Sequence, residues 1–275
     1  MSFLPLREPD DDLLPVIRSA SSDDLGVLVE YIHKVYNEDL SSIPAFKEQN
    51  PRADEKIYDG DHRLYADDIA AEIQRYGGNS FSNVFRGGKG VAYIDVVRDV
   101  ADQLKVSYNN NASAAMIENQ IQMKVLEKAY AEMSETERAE LLNGLGVNII
   151  GAIPASLPVI AVQGAILTSG FAAYRLAVIV ANAIAKALLG KGLTIAGNAA
   201  LTRVIGAFAG PIGWAITGLW TLVDLAGPAY RVTIPCVVQL AYMRQKMVTA
   251  QCSKCGEQQS ANSKFCSSCG SPMSQ

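Results

Sequence analysis

From Leu141 to Tyr174 the chain runs for 34 residues without a single charged side chain. Between Leu141 and Met243 there are only six: Arg175, Lys186, Lys191, Arg203, Asp224 and Arg231. A stretch this long and this uncharged has two ways to leave water, a buried helical core or insertion into a bilayer. The 20 uncharged residues 204–223, VIGAFAGPIGWAITGLWTLV, have the length needed to cross ~30 Å of hydrocarbon. Gly206 and Gly210 add a G-x-x-x-G spacing that lets helices approach closely in lipid.

Other features weaken each span. Gly210-Pro211 interrupts the helical pattern, and Trp214 sits in the middle of the segment rather than at an interface. Pro154 and Pro158 precede a helix expected over about 159–190, which carries Arg175 at its centre. A central arginine costs ~2.5–3.5 kcal/mol on insertion scales. Helices of this marginal, Gly/Ala-rich, cationic kind suit a protein that lies on or enters an anionic bilayer, and they also suit a tightly packed soluble core. Asp224 is the one acid between Glu140 and Glu257, so it is expected to pair with Arg231 or Arg203.

Charge divides the chain. Residues 1–140 hold 15 Lys/Arg against 26 Asp/Glu and residues 141–275 hold 9 against 2, giving -11 and +7. This points to different surroundings for the two halves. The basic residues are scattered singly through apolar sequence, which disfavours nucleic acid as a partner. No basic segment followed by an apolar one opens the chain, so the N-terminus is expected to stay in the cytosol.

The acidic half reads as helical. Ser22 and Asp23 precede the apolar series Leu25, Val27, Leu28, Tyr31 and Ile32, predicting a helix at about 23–35. Others are expected over 61–76, stopping at Gly77-Gly78 through a positive φ, and over 91–104. Ile117, Ile121, Val125 and Leu126 mark a fourth, and the capping box of Ser134 and Glu137 starts a fifth.

At the tail stand Cys252-Ser-Lys-Cys255-Gly256 and Cys266-Ser-Ser-Cys269-Gly270. In each C-x2-C-G knuckle two thiolates converge, and the glycine takes the left-handed turn that brings backbone N–H groups toward sulfur. Cys252, Cys255, Cys266 and Cys269 therefore read as four ligands of one structural Zn²⁺ ion on a small β-hairpin ribbon. Four thiolates leave no open position for water, so the site is structural rather than catalytic. The fifth cysteine, Cys236, lies in an apolar run, and the whole pattern suits a reducing compartment.

Motifs for chemistry are otherwise poor. Gly87-Gly88-Lys89-Gly90 lacks the Walker spacing, and reads as a turn whose Arg86 and Lys89 face solvent or lipid phosphate. The acids at Asp10–Asp12, Asp59/Asp61 and Asp67/Asp68 lack calcium-loop spacing and read as solvated helix starts. With only His33 and His62, a histidine site has almost no material.

Two stretches carry a resemblance: residues 70–106, AAEIQRYGGNSFSNVFRGGKGVAYIDVVRDVADQLKV, and 206–247, GAFAGPIGWAITGLWTLVDLAGPAYRVTIPCVVQLAYMRQKM. They resemble the YaaW-like family of uncharacterised bacterial proteins, some labelled ubiquinol-cytochrome c chaperones. The likeness spans roughly 1–248, stops before the ribbon, and implies a bacterial, all-helical body without transferable catalytic residues.

The expected fold is all-α: an acidic soluble helical domain over 1–140, an apolar cationic helical region over 141–249, and a zinc ribbon over 250–275. The expected function is non-enzymatic and membrane-associating, with an apolar region that inserts into, perturbs or lies in the inner membrane of a cytoplasmic protein, a zinc ribbon for structure or partner recruitment, anionic lipid as partner and no small-molecule substrate. The alternative is a soluble chaperone-like or interaction module that recruits a protein through its ribbon.

Overall fold

The computed structural model describes residues 10–35, 60–77, 90–146, 159–168, 170–194, 205, 212–213, 216, 218, 228–256, 258–266 and 269–273. Expectations that fall on Asp59, residues 86–89, Pro154, Pro158, Arg203, Gly206, Gly210, Pro211, Trp214 and Asp224 lie outside the described residues.

Helices in chain order are α1 (Leu14–Ser19), α2 (Ser22–Val35), a 3₁₀ turn (His62–Tyr65) leading into α3 (Ala66–Gly77), α4 (Tyr93–Gln103), α5 (Ala114–Glu132), α6 (Glu135–Leu145), α7 (Val159–Thr168), α8 (Gly170–Leu189) and α9 (Pro228–Met247). The strands β1 (Thr249–Gln251) and β2 (Gln258–Ser260) follow as an antiparallel hairpin. Among the described residues the body is thus helical, with the strands confined to the tail. The helix expected over 159–190 is matched by α7 and α8, which flank residue 169, itself outside the described residues.

Local chemistry sets the ends. Ser134 Oγ accepts from Glu137 N at 3.3 Å while Ser134 N donates to Glu137 Oε2 at 2.8 Å, the reciprocal box read from sequence. Gly146 ends α6 at φ 74°. Gly78, part of the expected stop, lies outside the described residues, and Gly77 is the last described residue of α3. It is helical, and a Cβ there would lie 2.3 Å from Val96 Cγ2, so the site needs space rather than a positive φ. Gly90 is likewise a packing residue: its Cβ would meet the Gln74 carbonyl carbon at 2.5 Å, and Val91 N donates to Gln74 O at 3.0 Å.

The organising element is α9. Val232, Ile234, Val237, Val238, Leu240, Tyr242 and Met243 are each at most 3% exposed, and even Gln239 is fully buried. A helix enclosed on all sides belongs at the centre of a core. Around it pack α8, α2, α3, α5, α4 and α1, so helices from the acidic and basic halves share one hydrophobic cluster. Ile205, Ile212 and Ile216 join that cluster.

Three ion pairs link the basic half of the chain to the acidic half. Basic residues of the second half meet acids of the first: Arg244 with Glu118 at 2.8 Å, Lys246 with Asp24 at 2.6 Å, and Lys191 with Glu30 at 2.8 Å. These opposite charges join the two halves of the sequence. Lys191–Glu30, with side chains 66% and 42% exposed, adds little to stability, whereas Glu118 is buried and its pairing is obligatory.

Candidate metal centre

The ribbon is built directly on the end of α9. Arg244 and Lys246 tie the last turn of that helix to Glu118 and Asp24, and Thr249 Oγ1 donates to Lys246 O at 3.0 Å as the chain enters β1. Register pairs Thr249 with Ser260, Ala250 with Gln259 and Gln251 with Gln258. Three residue pairs make a hairpin too short to hold itself together in water.

Both knuckles close with the same bond and the same glycine conformation. Gly256 N donates to Cys252 O at 2.8 Å and Gly270 N to Cys266 O at 2.9 Å, with the two glycines at φ 73° and 70°. An L side chain rarely adopts that conformation, which is why glycine follows each pair. The second knuckle is pinned further by Cys266 N donating to Ser271 O at 2.8 Å and by a bridge between Phe265 and Pro272.

These turns bring Cys252, Cys255, Cys266 and Cys269 together, all four Sγ atoms within 4.8 Å of one another. Cys252 and Cys269 are 3.7 Å apart and Cys255 and Cys266 3.6 Å. Sulfurs ~2.3 Å from a tetrahedral ion would lie about 3.8 Å from each other, so the spacing fits a four-thiolate metal site. In each knuckle the first cysteine is buried and the second more open: Cys252 is 1% and Cys266 2% exposed, Cys255 is exposed and Cys269 intermediate. Ser271 Oγ lies 3.3 Å from Cys269 Sγ, and bonds from the Ser271 hydroxyl and backbone hold the Cys269 thiol down at about 6. That favours the thiolate a metal requires. Among the described residues this is the group of Cys, His and acidic side chains able to hold a metal ion.

Most of the acids read as solvated helix starts do stand there: Asp61 caps the 3₁₀ turn and Asp67 and Asp68 lie in the first turn of α3, while Asp10 has a further role. Asp10 is a hub: its carboxylate accepts from Tyr93 N at 2.7 Å, Gln74 Nε2 at 2.9 Å and Leu13 N at 3.1 Å. Asp61 accepts from Arg63, and Asp67 pairs with Arg18 at 2.8 Å. His62 Nδ1 faces Ser22 Oγ at 3.1 Å. Arg175 lies near the start of α8, its guanidinium 4.0 Å over the Phe171 ring and donating to Gly144 O at 2.6 Å. Sequence reasoning missed the buried network in which Glu118 accepts from Arg244 and from Tyr93 Oη at 2.8 Å. Its one visible signal is a glutamate beside Ile117 on the apolar side of α5. These contacts hold helices together.

A Helicobacter pylori (strain J99) protein named UPF0174 protein is 40% identical over 243 residues, 85% of this chain and 90% of that protein. The chain belongs to the UPF0174 family. A second UPF0174 protein of that strain is 39% identical over 215 residues, 77% of this chain and 98% of its own length. The UPF0174 protein YaaW of Escherichia coli K12 is 31% identical over 192 residues, 69% of this chain and 74% of that protein. The YaaW-like resemblance read from residues 70–106 and 206–247 agrees with this membership. No family model and no solved structure matches the sequence.

Proposed function

We propose that this UPF0174 chain is a non-enzymatic, zinc-binding interaction protein of the cytoplasm: a closed helical body that presents a zinc ribbon to a protein partner. The observation that carries this is the closed group of four cysteines, Sγ atoms within 4.8 Å, at the end of the central helix. Such a set matches the preference of Zn²⁺ for tetrahedral sulfur and leaves no position for substrate. Phe265 stands 64% exposed beside Cys266, an aromatic side chain of the kind that anchors protein interfaces.

Membrane association is the second reading, favoured by one observation. The α8 segment Phe171–Leu189 is long and apolar enough to cross a membrane. Against it, 72% of that window is buried in the body, which is how the core helix of a soluble protein behaves. Gel filtration without detergent, with zinc measured across the peak, separates the two. A single detergent-free species carrying one zinc per chain supports the first reading. Aggregation that detergent reverses, or a chain recovered only with membranes, would overturn it in favour of the second.

A further inference from the structure

The position of the ribbon gives its metal a second consequence. Strand β2 packs against α8, and β1 against α9. Tyr174, near the start of α8, lies with its ring 6.3 Å from that of Tyr242, one turn or so before the end of α9 where the ribbon begins. The hairpin therefore sits over the beginning of α8. Gln259, the central residue of β2, is 5% exposed and marks the hairpin face turned to the body. Ala250, its register partner, shares that face. The far end of α8 is held separately, by Lys34 Nζ donating to Leu188 O at 2.6 Å and by the ion pair of Lys191 with Glu30.

A ribbon of this size has no core of its own, so its folding and metal binding are one event. From these facts we infer that the ribbon is a metal-dependent clamp: with the ion bound it covers the start of the apolar helix α8, and loss of the ion releases that end. This rests on the zinc reading above and extends it to regulation. The element whose exposure the metal controls is the one described helix apolar enough to enter a bilayer. Arg175 gives the released end a built-in limit, because its bond to Gly144 O and its stacking on Phe171 do not depend on the ribbon.

Hydrogen exchange on the full chain tests the clamp, comparing zinc-loaded protein, the same protein after chelation, and Cys266→Ser. On metal loss, amides of residues 170–178 should exchange at least about tenfold faster together with those of 249–271, while α5 keeps its protection. Gln259→Ala is the second variant, because it leaves all four cysteines in place. It should keep one zinc per chain yet speed exchange at 170–178. If zinc is present at one per chain and its removal loosens 249–271 while 170–178 stays protected, the clamp is refuted and the zinc ribbon stands. A chain that binds no zinc, and whose tail ignores the chelator, refutes both.

Discussion

Replacing Arg244 with leucine should reveal how much of this fold depends on one buried ion pair. The Glu118 side chain is 1% exposed, and its carboxylate accepts from Arg244 at 2.8 and 3.1 Å and from Tyr93 at 2.8 Å. Arg244 also donates to the Asp12 carbonyl at 2.6 Å, which joins the N-terminal segment to α9 and α5. Without the guanidinium, a desolvated carboxylate is left with a single phenol donor. Breaking a buried pair this way costs about 3–5 kcal/mol. That is a large part of the ~5–15 kcal/mol by which a typical domain is stable. At ~2–4 °C per kcal/mol for a body of this size, the melting temperature should fall by roughly 6–20 °C. Removing both charges, with Glu118→Leu added, should restore most of the loss, because a well-packed apolar pair carries no desolvation penalty. Thermal and urea unfolding followed by far-UV circular dichroism would measure both variants. An Arg244→Leu protein that melts with the native chain, or a double variant no better than the single one, would refute the reasoning.

Other consequences are more local. Gly90→Ala places a Cβ 2.5 Å from backbone of Gln74 and should lower stability by about 1–3 kcal/mol in urea unfolding; an unchanged midpoint would contradict the close approach of that backbone to α3. Cys266→Ser should lose zinc and become protease-sensitive across 249–271 while the helical signal survives; mass spectrometry of the first cleavage products would show cuts in the body instead if the ribbon were not the metal-held part. Alkali should unfold the protein through its tyrosines. Tyr230 is pushed up to about 12 by burial and by its bond to Asp99, and burial also raises Tyr31, Tyr93 and Tyr242. Folded values above the unfolded value of ~10 mean that this stability is complete below that pH and is lost as pH rises toward about 12. Phenolate absorbance and helical signal recorded together should change in one transition, and tyrosines that titrate freely while the helices persist would contradict this.

Much of the fold was legible because its signals are local. The capping box at Ser134 and Glu137, the apolar stripe of α2 and the two cysteine knuckles depend on residues a few positions apart. What was hidden depends on distance along the chain. Glu118 and Arg244 stand 126 positions apart, and nothing in either neighbourhood names the other. The same holds for Asp10, whose acidic neighbours suggested solvent although its carboxylate binds Tyr93 and Gln74. Charge asymmetry was visible, but the pairing of Arg244, Lys246 and Lys191 with Glu118, Asp24 and Glu30 required the tertiary arrangement. Gly77 and Gly90 show the same limit, because a glycine needed for close packing looks in sequence like one needed for a turn.

Zinc content is the measurement closest to the central claim. Elemental analysis of the full chain, purified without chelator from zinc-replete cells, should give one zinc per chain, with the four tail thiols unreactive until the metal is removed or the protein unfolded. A stoichiometry near zero, with Cys252, Cys255, Cys266 and Cys269 all freely titratable in the native protein, would contradict the account.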